Sequence, residues 1–229
     1  HGKNAPDGTF SDYVILPEKT YELVYKHHEN PTIDQLKGAM YAFLLADVRN
    51  ALTRNSDVLK SRNMMLFGAG NSGMLAAYLF LNSSPNSRLL AVDSSSESLC
   101  RLKSAFPRHR VSTELIPENI IAVLEKEREG ISGRVDLKKY MENLSDVVKA
   151  TFDGERVNLL FDASSGNSTQ LWDNSLFLSS GTVVIPFGFA SDYVLITKDL
   201  IQCSGLTIMM SRGMGNIRNR KETVNLIRG

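Results

Sequence analysis

The chain has 229 residues, 42% of them hydrophobic, 22% charged and 8% aromatic. This excludes a disordered, collagen-like or coiled-coil protein and fits one large or two small globular domains, at roughly 150 residues each. Lys and Arg number 26 against 25 Asp and Glu, a net charge of +1 with the signs interspersed, which excludes electrostatic capture of nucleic acid or of an acidic membrane surface and leaves a small molecule as the partner.

Two cysteines, Cys100 and Cys203, are too few for a disulfide framework or a four-thiolate zinc site. They fit a reducing, cytoplasmic compartment and read as core thiols. The longest apolar run, Leu75 to Leu81, ends at Asn82, well short of the roughly 20 residues of a membrane span. The opening on His1 and the close on Arg228-Gly229 read as a piece of something longer.

In chain order, Gly8 to Leu16 and Tyr21 to Tyr25 mix β-branched and aromatic residues with polar ones, as short strands do, and are broken at Pro17. Residues 1–30 therefore read as the end of a β domain. Pro31-Thr32-Ile33-Asp34 opens a connecting helix to about Leu52, with Leu36, Met40, Phe43/Leu44, Val48 and Ala51 at helical spacing. This region is assigned 31–58.

From residue 59 the pattern becomes strand, glycine turn, helix, repeated. Strands are predicted at Met64 to Phe67, Leu89 to Val92, Val111 to Ile116, Val157 to Phe161, Thr182 to Phe187 and Leu206 to Met210. Helices are predicted at Asn71 to Leu81, Ser96 to Phe106, Pro117 to Arg128 and Ser168 to Leu178. Alternating βα units with near-continuous apolar strands imply an α/β fold, a parallel sheet covered on both faces. Ile131 to Phe152 reads as an extra surface helix inserted before the fourth strand, and no chemistry is assigned to it.

The segment that carries chemistry is Met64-Met65-Leu66-Phe67-Gly68-Ala69-Gly70-Asn71-Ser72-Gly73. Gly68 would make the tight strand-to-helix turn, Gly70 would let the backbone approach a pyrophosphate, and Gly73 would let helix and strand pack closely. Amides at the helix start, including those of Asn71 and Ser72, would face the phosphates. Asp93, followed by Ser94, lies 20 residues beyond Gly73 at the end of the second strand, where a carboxylate accepts from ribose hydroxyls and repels a 2′-phosphate. The expected cofactor is NAD rather than NADP. Strand before, helix after and acid at the next strand end are together the context that the motif requires, so residues 59–229 read as a Rossmann-type doubly wound domain. A methyltransferase using S-adenosylmethionine shares this geometry, but such enzymes usually carry an acid two positions before the first glycine, where this chain has Leu66.

The residues then resemble the medium-chain dehydrogenase/reductase superfamily of zinc-type alcohol and polyol dehydrogenases. Gly8 to Pro17 is similar to the family's "G-T-F-x-E-Y-x-x-x-P" element near the end of its GroES-like catalytic domain, with Asp12 for the Glu. Phe161 to Gly166 is similar to its "D-A-x-G" strand end, with one extra residue. Gly181 to Phe189 is similar to "G-G-x-x-V-x-x-G", with Thr182 at the second glycine, and Leu206 to Gly213 to "I-x-G-S", with Met210 for the glycine.

The resemblance implies hydride transfer between NAD(H) and an alcohol or polyol or its carbonyl form, with Ser164, Ser165, Gly166, Phe187, Gly188, Phe189 and Ser211 along the cofactor path. It also implies a GroES-like remnant at the N-terminus, a homodimer or homotetramer, and catalytic residues upstream of His1. Zinc in the longer parent is implied as well, but no metal ligand is assigned. Laying Gly38 to Leu44 on the family's "G-A-x-x-E-P-L" pattern puts Ala42 at the zinc-ligand Glu. The metal is absent, or Asp47 is the ligand in a shifted register, or the zinc is held outside the chain. Asp47 itself reads as a solvated helix carboxylate, and His27, His28 and His109 as exposed loop residues. The readings to separate are a dehydrogenase, a methyltransferase and a non-catalytic dinucleotide-binding domain.

Overall fold

The computed structural model describes residues 33–54, 58–128, 134–164, 171, 177–188 and 205–209. The strands are β1 (Asn63–Phe67), β2 (Arg88–Asp93), β3 (Val111–Leu115), β4 (Val157–Asp162), β5 (Leu178–Pro186) and β6 (Thr207–Ile208). The helices are α1 (Ile33–Thr53), α2 (Asn71–Ser83), α3 (Ser96–Ala105), α4 (Glu118–Arg128) and α5 (Arg134–Thr151). The strands form one sheet in the order β3-β2-β1-β4-β5-β6, with every pairing parallel. This is the doubly wound Rossmann-type order, whose direction of winding reverses between β1 and β4.

All five residues of β1 are buried because successive side chains enter opposite faces of the sheet. Met65 and Phe67 pack with Leu90, Val92, Leu160 and Val184, while Met64 and Leu66 pack with Leu89, Ala91, Leu159, Phe161 and Ile185. The second group is covered by Val48 and Leu52 of α1, Ala76 and Phe80 of α2, and Leu99 and Leu102 of α3. The first is covered by Ile120 and Leu124 of α4 and by α5.

That placement corrects the reading of the segment before the fourth strand. Leu137, Tyr140, Met141, Leu144 and Val148 of α5 lie inside the main core rather than on a surface appendage, although Lys138, Lys139 and Glu142 on the opposite side are solvated as expected. The cause is topological: the crossover from β3 at one edge to β4 in the centre passes both β2 and β1, and one short helix cannot cover that span.

Other boundaries shift for equally local reasons. The helix expected to reach Leu178 stops earlier, because Leu178 pairs with Val157 at the start of β5 and the Phe177 carbonyl accepts from the Val157 amide at 3.3 Å. Pairing between β4 and β5 then slips, so that Leu159 meets Val183. Buried Thr182 donates its hydroxyl to the Val157 carbonyl at 2.7 Å across that irregularity. Cys100 is exposed on α3 rather than a core thiol, because it falls on the helix face opposite Leu99 and Leu102. Cys203 lies outside the described residues. So do residues 1–30, with the two N-terminal strands and the GroES-like remnant.

Two arginines brace the rear of the sheet, away from the strand ends that hold the glycine turn. Arg88 donates to the Phe152 carbonyl at 3.0 Å and to Asp153 at 2.5 Å, with its guanidinium 5.7 Å from the Phe152 ring centre. Arg110 donates to the carbonyls of Leu81 at 2.7 Å, Ser84 at 2.6 Å and Ser87 at 3.0 Å, closing the C-terminal end of α2.

Candidate functional site

The carboxyl ends of β1, β2, β4 and β5 place Gly68, Asp93, Asp162 to Ser164 and Phe187-Gly188 along one edge of the sheet. In open α/β folds, ligands occupy the crevice outside this edge where the winding reverses.

Gly68 has φ of +85°, a conformation that side chains with a Cβ rarely adopt. Its amide donates to the Val92 carbonyl at 2.9 Å, which ties the turn to β2. A Cβ on Gly73 would collide with the Gly68 carbonyl, so the third glycine allows α2 to start directly against the turn. The space beside Gly70 is open, with nothing within 4 Å of where its Cβ would stand. Gly70 is the N-cap of α2, no side chain caps the helix and no acidic residue lies in its first turn. The amides that start α2, beside exposed Asn71 and half-buried Ser72, thus present an uncompensated partial positive charge to the crevice.

Asp93 is half-buried and joins two turns. Its Oδ2 accepts from the Ala69 amide at 2.5 Å and its Oδ1 from the Ser95 amide at 2.7 Å. It does not cap α3: that role belongs to Ser95, whose hydroxyl accepts from the Ser98 amide at 3.2 Å. The carboxylate therefore sits beside the glycine turn, and Ser94 is exposed next to it. Leu115, directly across from Asp93 in the pairing of β2 with β3, is 46% exposed. Sequence reasoning did not select it, and the signal was its position at the end of a strand.

On the other side of the crevice, the Ser164 amide lies against Gly68, and Gly188 lies against Ser164. Asp162 also enters the site without having been selected: it is buried, and its Oδ1 accepts from the Ser164 hydroxyl at 2.8 Å and the Ser164 amide at 3.1 Å. The Asp162 carbonyl accepts from the amides of Phe187 at 2.8 Å and Gly188 at 2.7 Å. The half-buried Phe187 ring stacks on Phe161 at 5.2 Å between centres and packs against the core from its edge. Ser165, Gly166, Phe189 and Ser211 lie outside the described residues.

Among the described residues no three His, Cys, Asp or Glu side chains stand together as a metal site, and none of them is assigned to zinc. Asp47 is half-buried on α1 instead of solvated, since its helix packs on the core through neighbouring Ala46 and Val48. His109 is exposed in the turn before β3, as expected, and His27 and His28 are outside the described residues. No helix of the described residues is long and apolar enough to cross a membrane.

No protein-family model and no curated protein matches the chain. Its fold is that of solved dehydrogenases. It is similar to a short chain alcohol dehydrogenase of E. coli CFT073 complexed with its cofactor NADH, at a TM-score of 0.62 and 17% identity over 97% of this chain and 55% of that one. It is also similar to L-idonate 5-dehydrogenase of Escherichia coli K-12, at 0.59 and 14% identity over 86% and 47%, and to S. aureus TarJ in complex with NADPH, at 0.54 and 16% identity over 86% and 51%. The chain thus spans about half the length of these structures.

Proposed function

We propose that the chain is the dinucleotide-binding part of an NAD-dependent oxidoreductase of the medium-chain alcohol and polyol dehydrogenase kind, acting on a small alcohol or its carbonyl form. The observation that carries this reading is the Asp93 carboxylate, bonded to the Ala69 amide of the glycine turn at 2.5 Å where the sheet reverses its winding. The dehydrogenases alike in fold, one of them bound to NADH, support it.

The residues fit the cofactor. The bare N-terminus of α2 and the open space at Gly70 suit a diphosphate, Asp93 suits ribose hydroxyls, and Leu115 offers apolar surface beside Asp93 for a base. When bound, NAD supplies the group that accepts or donates a hydride. The chain's own residues bind and orient it: backbone amides neutralise the phosphate charge without a mobile side chain, and Asp93 fixes the sugar while disfavouring a 2′-phosphate. The substrate, a homodimeric or homotetrameric assembly and a cytoplasmic location form part of this proposal, the last resting on the exposed free thiol of Cys100.

Fluorescence titration of the 229-residue chain with NADH, NADPH and S-adenosylmethionine tests it. Saturable binding with NADH favoured over NADPH is expected. Binding of S-adenosylmethionine without a response to NADH would instead assign a methyltransferase, against which stands the apolar, fully buried Leu66.

A further inference from the structure

Ser164 is pinched between two glycines that belong to different parts of the crevice. A Cβ added to Gly68 would lie 2.8 Å from the Ser164 amide nitrogen and 2.9 Å from the Ala163 carbonyl carbon. A Cβ added to Gly188 would collide with the Ser164 carbonyl from the other side. The Ser164 peptide therefore fills the gap between the turn after β1 and the turn after β5 at a separation that only glycine permits on either flank. What holds the peptide there is Asp162, which receives both the amide and the hydroxyl of Ser164 on one oxygen. The same residue's carbonyl receives the amides of Phe187 and Gly188.

We propose that Asp162 is a positioning residue for dinucleotide binding: its carboxylate fixes Ser164 as a wedge between Gly68 and Gly188, so that the two turns hold one spacing. The inference rests on the reading of the crevice as a dinucleotide site. A ligand reaching from the Asp93 side across the switch point needs both turns in register. One that ends at the first turn needs only Gly68, Gly70 and Asp93. Loss of the wedge should therefore weaken long ligands more than short ones. A general loss of stability would weaken both alike, because it lowers the fraction of binding-competent protein for every ligand equally.

The test measures Kd for NADH and for AMP in the full chain and in the Asp162→Ala, Asp162→Asn and Ser164→Ala variants. Asp162→Ala should raise the Kd for NADH about tenfold, the cost of one lost buried hydrogen-bonded acceptor, and leave that for AMP within about twofold. Asp162→Asn keeps an acceptor oxygen of the same reach and should restore most of the difference, while Ser164→Ala, which keeps the amide bond, should fall between. The Asn and Ser164 variants carry the test if the Ala variant fails to fold. An unchanged NADH to AMP ratio across the variants, with the unaltered chain binding NADH, overturns the wedge alone. An unaltered chain that binds neither ligand overturns the wedge together with the dinucleotide reading beneath it.

Discussion

The Ala69 amide and the Asp93 carboxylate meet at 2.5 Å although 24 residues separate them. One acid thereby locks the glycine turn to the end of the neighbouring strand, and the proposed function gives the same acid the ribose to hold. Replacing Asp93 by Ala should reduce NADH affinity about tenfold to a hundredfold, the range of a charge-assisted hydrogen bond. Removing the negative charge should also move the NADPH to NADH preference towards NADPH. Parallel titrations check both, and an unchanged preference would show that the charge does not face a 2′ position.

Gly70 and Gly73 separate binding from folding. Gly70→Ala meets open space at an ordinary φ of −68°, so stability should fall by only about 0.5 kcal/mol, the loss of a better N-cap residue, while NADH binding drops about tenfold as the methyl group enters the position proposed for the diphosphate. Gly73→Ala collides with the Gly68 carbonyl and should cost about 1–3 kcal/mol in urea unfolding, as overpacking does.

Arg88 offers the converse. Its guanidinium, with a side chain only 17% exposed, bonds the Phe152 carbonyl, Asp153 and Glu155 at the rear of the sheet. Arg88→Lys keeps the charge but not the fork of donors, and should lower stability by about 2 kcal/mol with the NADH Kd unaltered in the fraction that stays folded. Urea midpoints and a titration below the midpoint check this.

Much of this was legible in the sequence. The predicted bounds of β1, β2 and α2 lie within two residues of the observed ones because near-continuous apolar runs abut a glycine turn, and the alternation of those units implies a doubly wound sheet. The burial of α5 was not legible: its apolar stripe was visible, but a stripe does not say whether it meets the sheet or another helix. The start of β5 at Leu178 was hidden because Leu171, Phe177 and Leu178 satisfy a helical period as well as a strand. Asp162 could be seen as an acid at a strand end, but its bonds to Ser164 exist only once Gly68 and Gly188 close around that peptide.

Glu114 sets a pH dependence. Burial holds the Glu114 carboxyl above its ordinary value of 4.5, so the folded state keeps that proton more tightly than the unfolded chain does. Its contribution is full below pH 4.5 and is lost as pH rises through the raised value. Glu114→Gln should accordingly flatten the decline in stability from acid to neutral pH, measured as the urea midpoint. Burial, and next the Glu114 charge, hold the Tyr140 hydroxyl above its ordinary value, so it stays neutral throughout that range. This hydroxyl is buried with no hydrogen-bond partner among the described residues. Tyr140→Phe should raise stability by about 1 kcal/mol by removing an unsatisfied polar group.

Arg110 links the two halves of the β3-β2-β1 side of the domain. The carbonyls at the end of α2 find their donor on a residue that follows α3 in the chain, so a nascent polypeptide stopped before Arg110 has the glycine turn and its helix but not the cation that seals the helix exit. Amides in the last turn of α2 should exchange with solvent until β3 docks, and the helix that begins at the glycine turn matures together with the third strand.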